Sequence, residues 1–134
     1  MHEALVKKYW DILMGGDPSG LAEVADPNLK MSICGDPMPP GVTLPIRASM
    51  LHQAVPDESC TYTILSSNRD SVTLEYTTEG THLGPFLLQG ENFPATGNRI
   101  KYSGLVFLRI AGGRVVEERA YPDKDKMFSQ IRKK

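Results

Sequence analysis

Residues 98–122 read NRIKYSGLVFLRIAGGRVVEERAYP, two alternating runs joined at Ala111-Gly112-Gly113. Alternation of apolar and polar side chains marks strands with one inward face, and the glycines mark where the chain doubles back. A three-residue loop ending on a left-handed Gly113 is the natural join, with a two-residue Gly112-Gly113 turn as the alternative. The longer loop sets Ile110 opposite Arg114, Leu108 opposite Val116, Val106 opposite Glu118 and Gly104 opposite Ala120, on one face with Tyr102. The other face carries Leu105 and Phe107 among Lys101, Ser103, Arg109, Glu117 and Arg119. Gly104 to Leu108 is therefore apolar on both sides and needs cover on both.

Working outward, Ser71 to His82 is the cleanest strand: Val72, Leu74, Tyr76, Thr78, Gly80 and His82 share the inward face, and the threonines and glutamates between them face water. Cys60 to Ser66 pairs with it through the turn residues 67–70, and Leu29 to Cys34 is a weaker strand with Met31 and Ile33 on one face. Apolar residues at helical spacing predict an opening helix over His2–Met14, through Leu5, Tyr9, Ile12 and Leu13. Asp17-Pro18 starts a short second helix to Val24, Asp26-Pro27 breaks the chain, and Ile46–Val55 forms a third helix with Ile46, Met50, Leu51 and Ala54 inward. Residues 35–41, with three prolines, are a loop, and Leu83–Gly97 is read as a loop folded over an apolar opening. Residues 123–131 end the chain as a capped helix with Met127, Phe128 and Ile131 inward. The resulting fold class is α+β: one domain over 1–134, with three N-terminal helical segments on the concave face of a strongly curved antiparallel sheet that leaves a cone-shaped cavity.

Fifteen basic and sixteen acidic side chains among 134 residues give a charge of -1, with no basic block to hold a nucleic acid. No stretch approaches the ~20 apolar residues that span a bilayer, so the reading is a soluble, cytoplasmic protein without a membrane partner. Cys34 and Cys60 lack the spacing of a metal or redox pair, and three scattered histidines make no zinc site, so neither metal nor cofactor is predicted.

Four inward-facing polar residues are the candidates for chemistry. A carboxyl on an apolar wall, Glu118, is pushed toward its neutral form and suits a general acid or base, with a place nearer the mouth and a lysine or arginine partner as its structural alternative. His82 titrates near neutrality and offers the complementary proton carrier, with pinning of the following turn as its structural alternative. Tyr102 and Tyr76 place phenols where hydrogen bonds hold a developing enolate oxygen. Tyr9, Leu13, Met31, Met50, Leu74, Val106 and Ala120 are expected to line the pocket, a soft surface for a flat hydrophobic small molecule.

The opening helix with its Gly16-Asp17 break, the strand end Gly80-Thr81-His82-x-Gly84, and the hairpin Phe107-Leu108-Arg109-Ile110 through Gly113-Arg114-Val115-Val116-Glu117-Glu118 together resemble the SnoaL-like branch of the nuclear transport factor 2-like superfamily. The resemblance spans nearly the whole chain. It implies a cone-like α+β barrel, a deep apolar pocket and a homodimer through the sheet's outer face, which accounts for Leu105 and Phe107. It also implies polyketide cyclase or isomerase chemistry in secondary metabolism. The aspartate and histidine of the family's cyclases correspond to Ala120 and Val106 here, and a pocket asparagine to Met31, so the family's cyclase mechanism does not carry over. The epoxide-hydrolase pattern, an arginine between two aspartates, is absent from Arg99-Ile100-Lys101. The residues thus point to a cofactor-independent cyclase or isomerase. The alternatives are a non-catalytic dimeric binding module and a hydrolase or dehydratase of a small epoxide or hydroxy compound.

Overall fold

The computed structural model describes residues 2–39, 41–88 and 91–132, and the side chains of all of these except 86–88 and 91. Helix α1 (Glu3–Leu13) buries Val6, Tyr9, Trp10, Ile12 and Leu13. Asp17 accepts the Ser19 N–H at 3.0 Å and starts a 3-10 turn (Pro18–Gly20) that runs into α2 (Leu21–Val24). Asp26-Pro27 does not break the chain as expected. It lies inside β1 (Ala25–Ile33), at a register irregularity between Ala25 and Lys30 where a missing donor costs the ladder little.

Strands β3 (Ser59–Ser67), β4 (Ser71–Thr81), β7 (Arg99–Ala111) and β8 (Arg114–Pro122) form the expected antiparallel meander. The sheet as a whole is mixed, because β1 pairs parallel to β8, and β2 (Asp36–Pro37), within the predicted proline loop, adds an antiparallel edge to β1. The order β2-β1-β8-β7-β4-β3 leaves it open rather than closed as a barrel. Leu83–Gly97, expected as loop, contains a separate hairpin of β5 (Phe86–Leu88) and β6 (Glu91–Phe93). The side chains of Phe86, Leu87 and Leu88, expected over the opening, lie outside the described residues.

The central hairpin takes the shorter turn. Gly112 and Gly113 have φ of 60° and 76°, the pair of positive values that a two-residue turn with native twist requires. Ala111 therefore faces Arg114 and Ile110 faces Val115, until an irregularity after Arg109 lets Val116 stand out of register and brings Glu117 opposite Arg109. Val115, not Val116, enters the core. The extra residue restores the parity, so Glu118 and Ala120 still face inward, but Glu118 sits opposite Leu108 and Ala120 opposite Val106.

Helix α3 (Leu44–Ala54) begins earlier than predicted because Thr43 Oγ1 caps it, accepting the Ile46 N–H at 3.4 Å, with Pro45 in its first turn. Its buried residues are Leu44, Ala48 and Ala54, while Ile46 (46 % exposed) and Met50 (37 %) lie off that stripe. Arg47, three residues after Leu44 and four before Leu51, falls on the inward side.

The Gly80-to-Gly84 motif locks the end of α3 to the sheet. A Cβ on Gly80 would lie 2.3 Å from Val55 Cγ1 and 3.3 Å from Glu58 Cα. Asp57 accepts the Thr81 N–H and hydroxyl at 2.7 and 2.8 Å, and Leu83 and Gly84 both donate to the Ala54 carbonyl. A Cβ on Gly84 would sit 2.0 Å from the Gln53 carbonyl oxygen, a backbone atom with nowhere to go. Gly84→Ala is therefore expected to destabilise the fold by about 3 kcal/mol, measured by denaturant unfolding; a wild-type midpoint would contradict this packing.

Asp123 caps α4 (Lys124–Ile131), accepting the Lys126 N–H at 3.1 Å, as the sequence indicated. Gln130 clamps this helix to β7 by accepting from Lys101 N at 2.5 Å and donating to Lys101 O at 2.8 Å, and Phe128 stacks on Phe93 at 4.8 Å. Among the described residues no helix is long and apolar enough to cross a membrane.

Candidate active site

Between α1, α3, α4 and the concave sheet lies a cavity of about 510 Å³. Leu13, Met50, Val106 and Ala120 line it as expected, together with Met14, Ile33, Met38 and Met127. Tyr76 and Tyr102 reach it from adjacent strands, their rings edge to face at 6.4 Å, and Trp10 packs against Tyr76 at 5.8 Å. Gly104 makes this possible: any Cβ there would stand 2.7 Å from the Tyr76 hydroxyl. Burial pushes both phenols well above their usual range, so each stays protonated and able to donate at neutral pH.

Tyr9, Met31 and Leu74 do not line this cavity. They are core residues packed behind its wall, because α1 turns Trp10 and Leu13 to the opening and Tyr9 to the sheet. Glu118 also lies outside the lining. It is fully buried and does not rest on bare apolar wall; it has the arginine partner of its structural alternative, but in the core rather than near the mouth. Tyr9 donates its hydroxyl to Oε1 at 2.5 Å, and Arg47 Nη1 forms a short ion pair with Oε2.

His82 is likewise not brought to the cavity. It is fully buried beneath the segment that follows β6, with Nδ1 3.0 Å from Thr96 Oγ1 and its backbone paired to Gly97 and Asn98. Burial lowers its pKa, which keeps the ring neutral. These contacts tie His82 to residues 96–98 rather than to the turn that follows it, and the structure does not join His82 to Glu118 or the tyrosines.

Two charged residues that sequence reasoning missed do line the cavity, Arg47 and Glu58. Glu58 immediately precedes β3 and shares the inward face of Cys60, Tyr62 and Ile64; a strand read from Cys60 stopped one alternation short of it. Bare Gly80 lets the chain at Glu58 approach the sheet. Thr78, the register partner of Cys60, places its hydroxyl 3.5 Å from Glu58 Oε1 and 3.1 Å from Cys60 Sγ. Burial raises the Glu58 carboxyl to about 7, against a weaker lowering by Thr78, and raises the Cys60 thiol to about 11. Its charge also contributes to the rise at Tyr102. The cavity thus combines a carboxyl pushed up to about 7 by burial, two protonated phenols and a guanidinium with Gln53, Cys60, Thr78 and Asn92 on otherwise apolar walls. Among the described residues, no three His, Cys, Asp or Glu side chains gather into a metal-binding set.

A family model for the SnoaL-like polyketide cyclases matches residues 3–131. The chain belongs to that family. Solved structures agree with this SnoaL-like fold. A SnoaL-like polyketide cyclase from Agrobacterium tumefaciens is 19 % identical with a TM-score of 0.69, covering 95 % of this chain and 94 % of its own. TsrD from Streptomyces laurentii is 21 % identical with a TM-score of 0.73, covering 98 % of each chain. IdmH from Streptomyces antibioticus, a proposed polyketide cyclase, is 20 % identical with a TM-score of 0.71 over 96 % of both chains. No curated protein matches the sequence. In this SnoaL-like chain, the two positions equated with the family cyclases' histidine and aspartate, Val106 and Ala120, are direct cross-strand partners on the cavity wall. The carboxyl that faces the cavity comes instead from Glu58, just before β3 at the other edge of the sheet.

Proposed function

We propose that this chain is a cofactor-independent cyclase or isomerase that moves a proton on a hydrophobic, polyketide- or terpenoid-like carbonyl compound, with Glu58 as both base and acid. The observation that carries this reading is the Glu58 carboxyl on the wall of an apolar cavity, where burial pushes it up to about 7. The ionised Glu58 takes a proton from a carbon next to a carbonyl, and the C–H electron pair moves onto the carbonyl oxygen. Tyr102 and Tyr76 donate hydrogen bonds to that enolate oxygen. The enolate carbon then attacks a second carbonyl within the same molecule, closing a ring, and Glu58 returns its proton to the resulting alkoxide. In an isomerisation the proton returns to a different carbon.

Hydrogen exchange tests this without knowledge of the natural substrate. In deuterium oxide the protein is expected to speed deuterium incorporation into 2-tetralone, a flat, apolar, enolisable ketone. Binding of tetralone with exchange no faster than in buffer would instead favour a non-catalytic binding module, the reading supported by the apolar pair Val106 and Ala120.

We further infer a homodimer through the outer face of the sheet. Leu105 (43 % exposed) and Tyr121 (44 %) are cross-strand neighbours there, beside Phe107, and a second copy would cover this apolar patch. Sedimentation is expected to give twice the chain mass for wild type and the single chain mass for Leu105→Lys. A monomeric wild type would contradict it.

A further inference from the structure

Arg47 has no part in the proton transfer just described, yet it is the most elaborately held side chain in the cavity wall. Its Nη1 is fixed by Glu118, which is completely buried and takes a second hydrogen bond from the completely buried Tyr9 at 2.5 Å. The Met31 sulfur lies 3.5 Å from the same nitrogen. Among the described residues no protein acceptor is bonded to Nε or Nη2, and the side chain keeps 15 % exposure while lining the cavity. Burying an ion pair costs several kcal/mol of desolvation that the pair itself barely recovers, so such a pair is poor evidence for stability alone. Glu118 and Tyr9 do not line the cavity, whereas Arg47 does. A ligand therefore meets the cation and not its counter-charge. The Tyr9 bond also draws charge from Glu118, leaving Arg47 more able to attract a second anionic oxygen. Arg47 and Tyr76 line the same cavity, so a ligand oxygen there meets the field of the cation as well as the phenol.

We propose that Arg47, positioned by Glu118 and Tyr9, binds the oxyanion in this cavity alongside the donating phenols of Tyr76 and Tyr102, and that it selects substrates whose reacting carbonyl becomes a discrete enolate or phenolate-like anion. This rests on the proton-transfer reading and adds where the displaced electron pair is held: the C–H pair ends on the carbonyl oxygen, hydrogen-bonded to the free edge of the guanidinium, while the proton is on Glu58. The substrate class is then a flat apolar compound with an acidic 1,3-dicarbonyl or phenol-like oxygen, rather than a neutral hydrocarbon or an amine. The other titratable groups lining the cavity are Glu58, Cys60, Tyr76 and Tyr102; burial keeps the thiol and both phenols protonated at neutral pH, so only Glu58 becomes an anion there, and it opposes anion binding.

The test is binding of 2-naphthol, whose ionised form has its own absorbance. Wild type is expected to prefer naphtholate over naphthol by roughly 10- to 100-fold, the range of a charge-assisted hydrogen bond. Glu58→Gln should retain or strengthen that preference, because it removes the opposing charge. Because Arg47→Met alone leaves Glu118 buried without its partner, the Arg47→Met/Glu118→Leu double variant is the decisive one, and it should bind both forms alike. Arg47→Lys should keep a reduced preference. Equal binding of both forms by wild type, no binding of either, or a preference that survives in the double variant would overturn the proposal. Loss of tetralone exchange with the naphtholate preference intact would instead sink the proton-transfer reading and leave Arg47 as an anion site.

Discussion

Glu58→Gln is expected to lower the rate of enolisation by roughly 10²- to 10⁴-fold, the usual worth of a positioned general base, with the fold intact. Glutamine keeps the shape and a hydrogen-bonding oxygen for Thr78, so the loss isolates the proton carrier from the packing around it. In wild type the rate should rise with pH through about 7 as the carboxyl ionises, and this limb should vanish in the variant. The same substitution reports on stability with a defined sign. The folded carboxyl holds its proton up to about pH 7, the unfolded one only to about its ordinary 4.5, so between those values the folded state binds more protons and stability falls as pH rises. Glu58→Gln removes that fall. The variant should equal wild type near pH 4 and exceed it by about 2 kcal/mol at pH 8, less than the full shift because the side chain keeps some solvent contact. An exchange rate within threefold of wild type would assign the chemistry elsewhere.

The largest stability effect is expected at Glu118. Glu118→Leu leaves the Arg47 cation in the wall without its counter-charge and the Tyr9 hydroxyl without its acceptor, a loss of about 3–5 kcal/mol. Removing both charges together should be far less damaging, because a buried ion pair and a well-packed apolar pair of similar volume are close in free energy. Urea unfolding of the single variant and of the Arg47→Met/Glu118→Leu double variant tests this. Equal losses in the two would mean that Arg47 and Glu118 are not energetically coupled.

Much of this architecture was legible in the chain because period-two alternation is hard to misread over long strands. Val72 to His82 and Ile100 to Ile110 present the inward faces that their patterns indicate. The choice of turn was not legible, since Ala111-Gly112-Gly113 permits both loops; the bulge at Val116 then repaired the parity that the wrong loop would have changed. Parallel pairing of β1 with β8 left no local mark, because register between segments some eighty residues apart is a tertiary matter. The site was read less completely for two physical reasons. Arg47 and Glu58 lie at positions where periodicity alone predicts core, and charged residues there look like the ends of a pattern rather than members of it. His82 and Glu118 were correctly placed inward, but facing inward does not distinguish the cavity from the packed core behind it. Thr96 and Asn98, which hold His82, come from a segment with no periodic signal.

The proposed chemistry depends on the ionisation of one side chain, and a carbon-13 titration of the Glu58 carboxyl, assigned by its disappearance in Glu58→Gln, reads it directly. A midpoint near pH 7 is the predicted result. A midpoint at the ordinary glutamate value near 4.5 would mean that the carboxyl is solvated rather than poised in the cavity, and would contradict its role as the proton carrier.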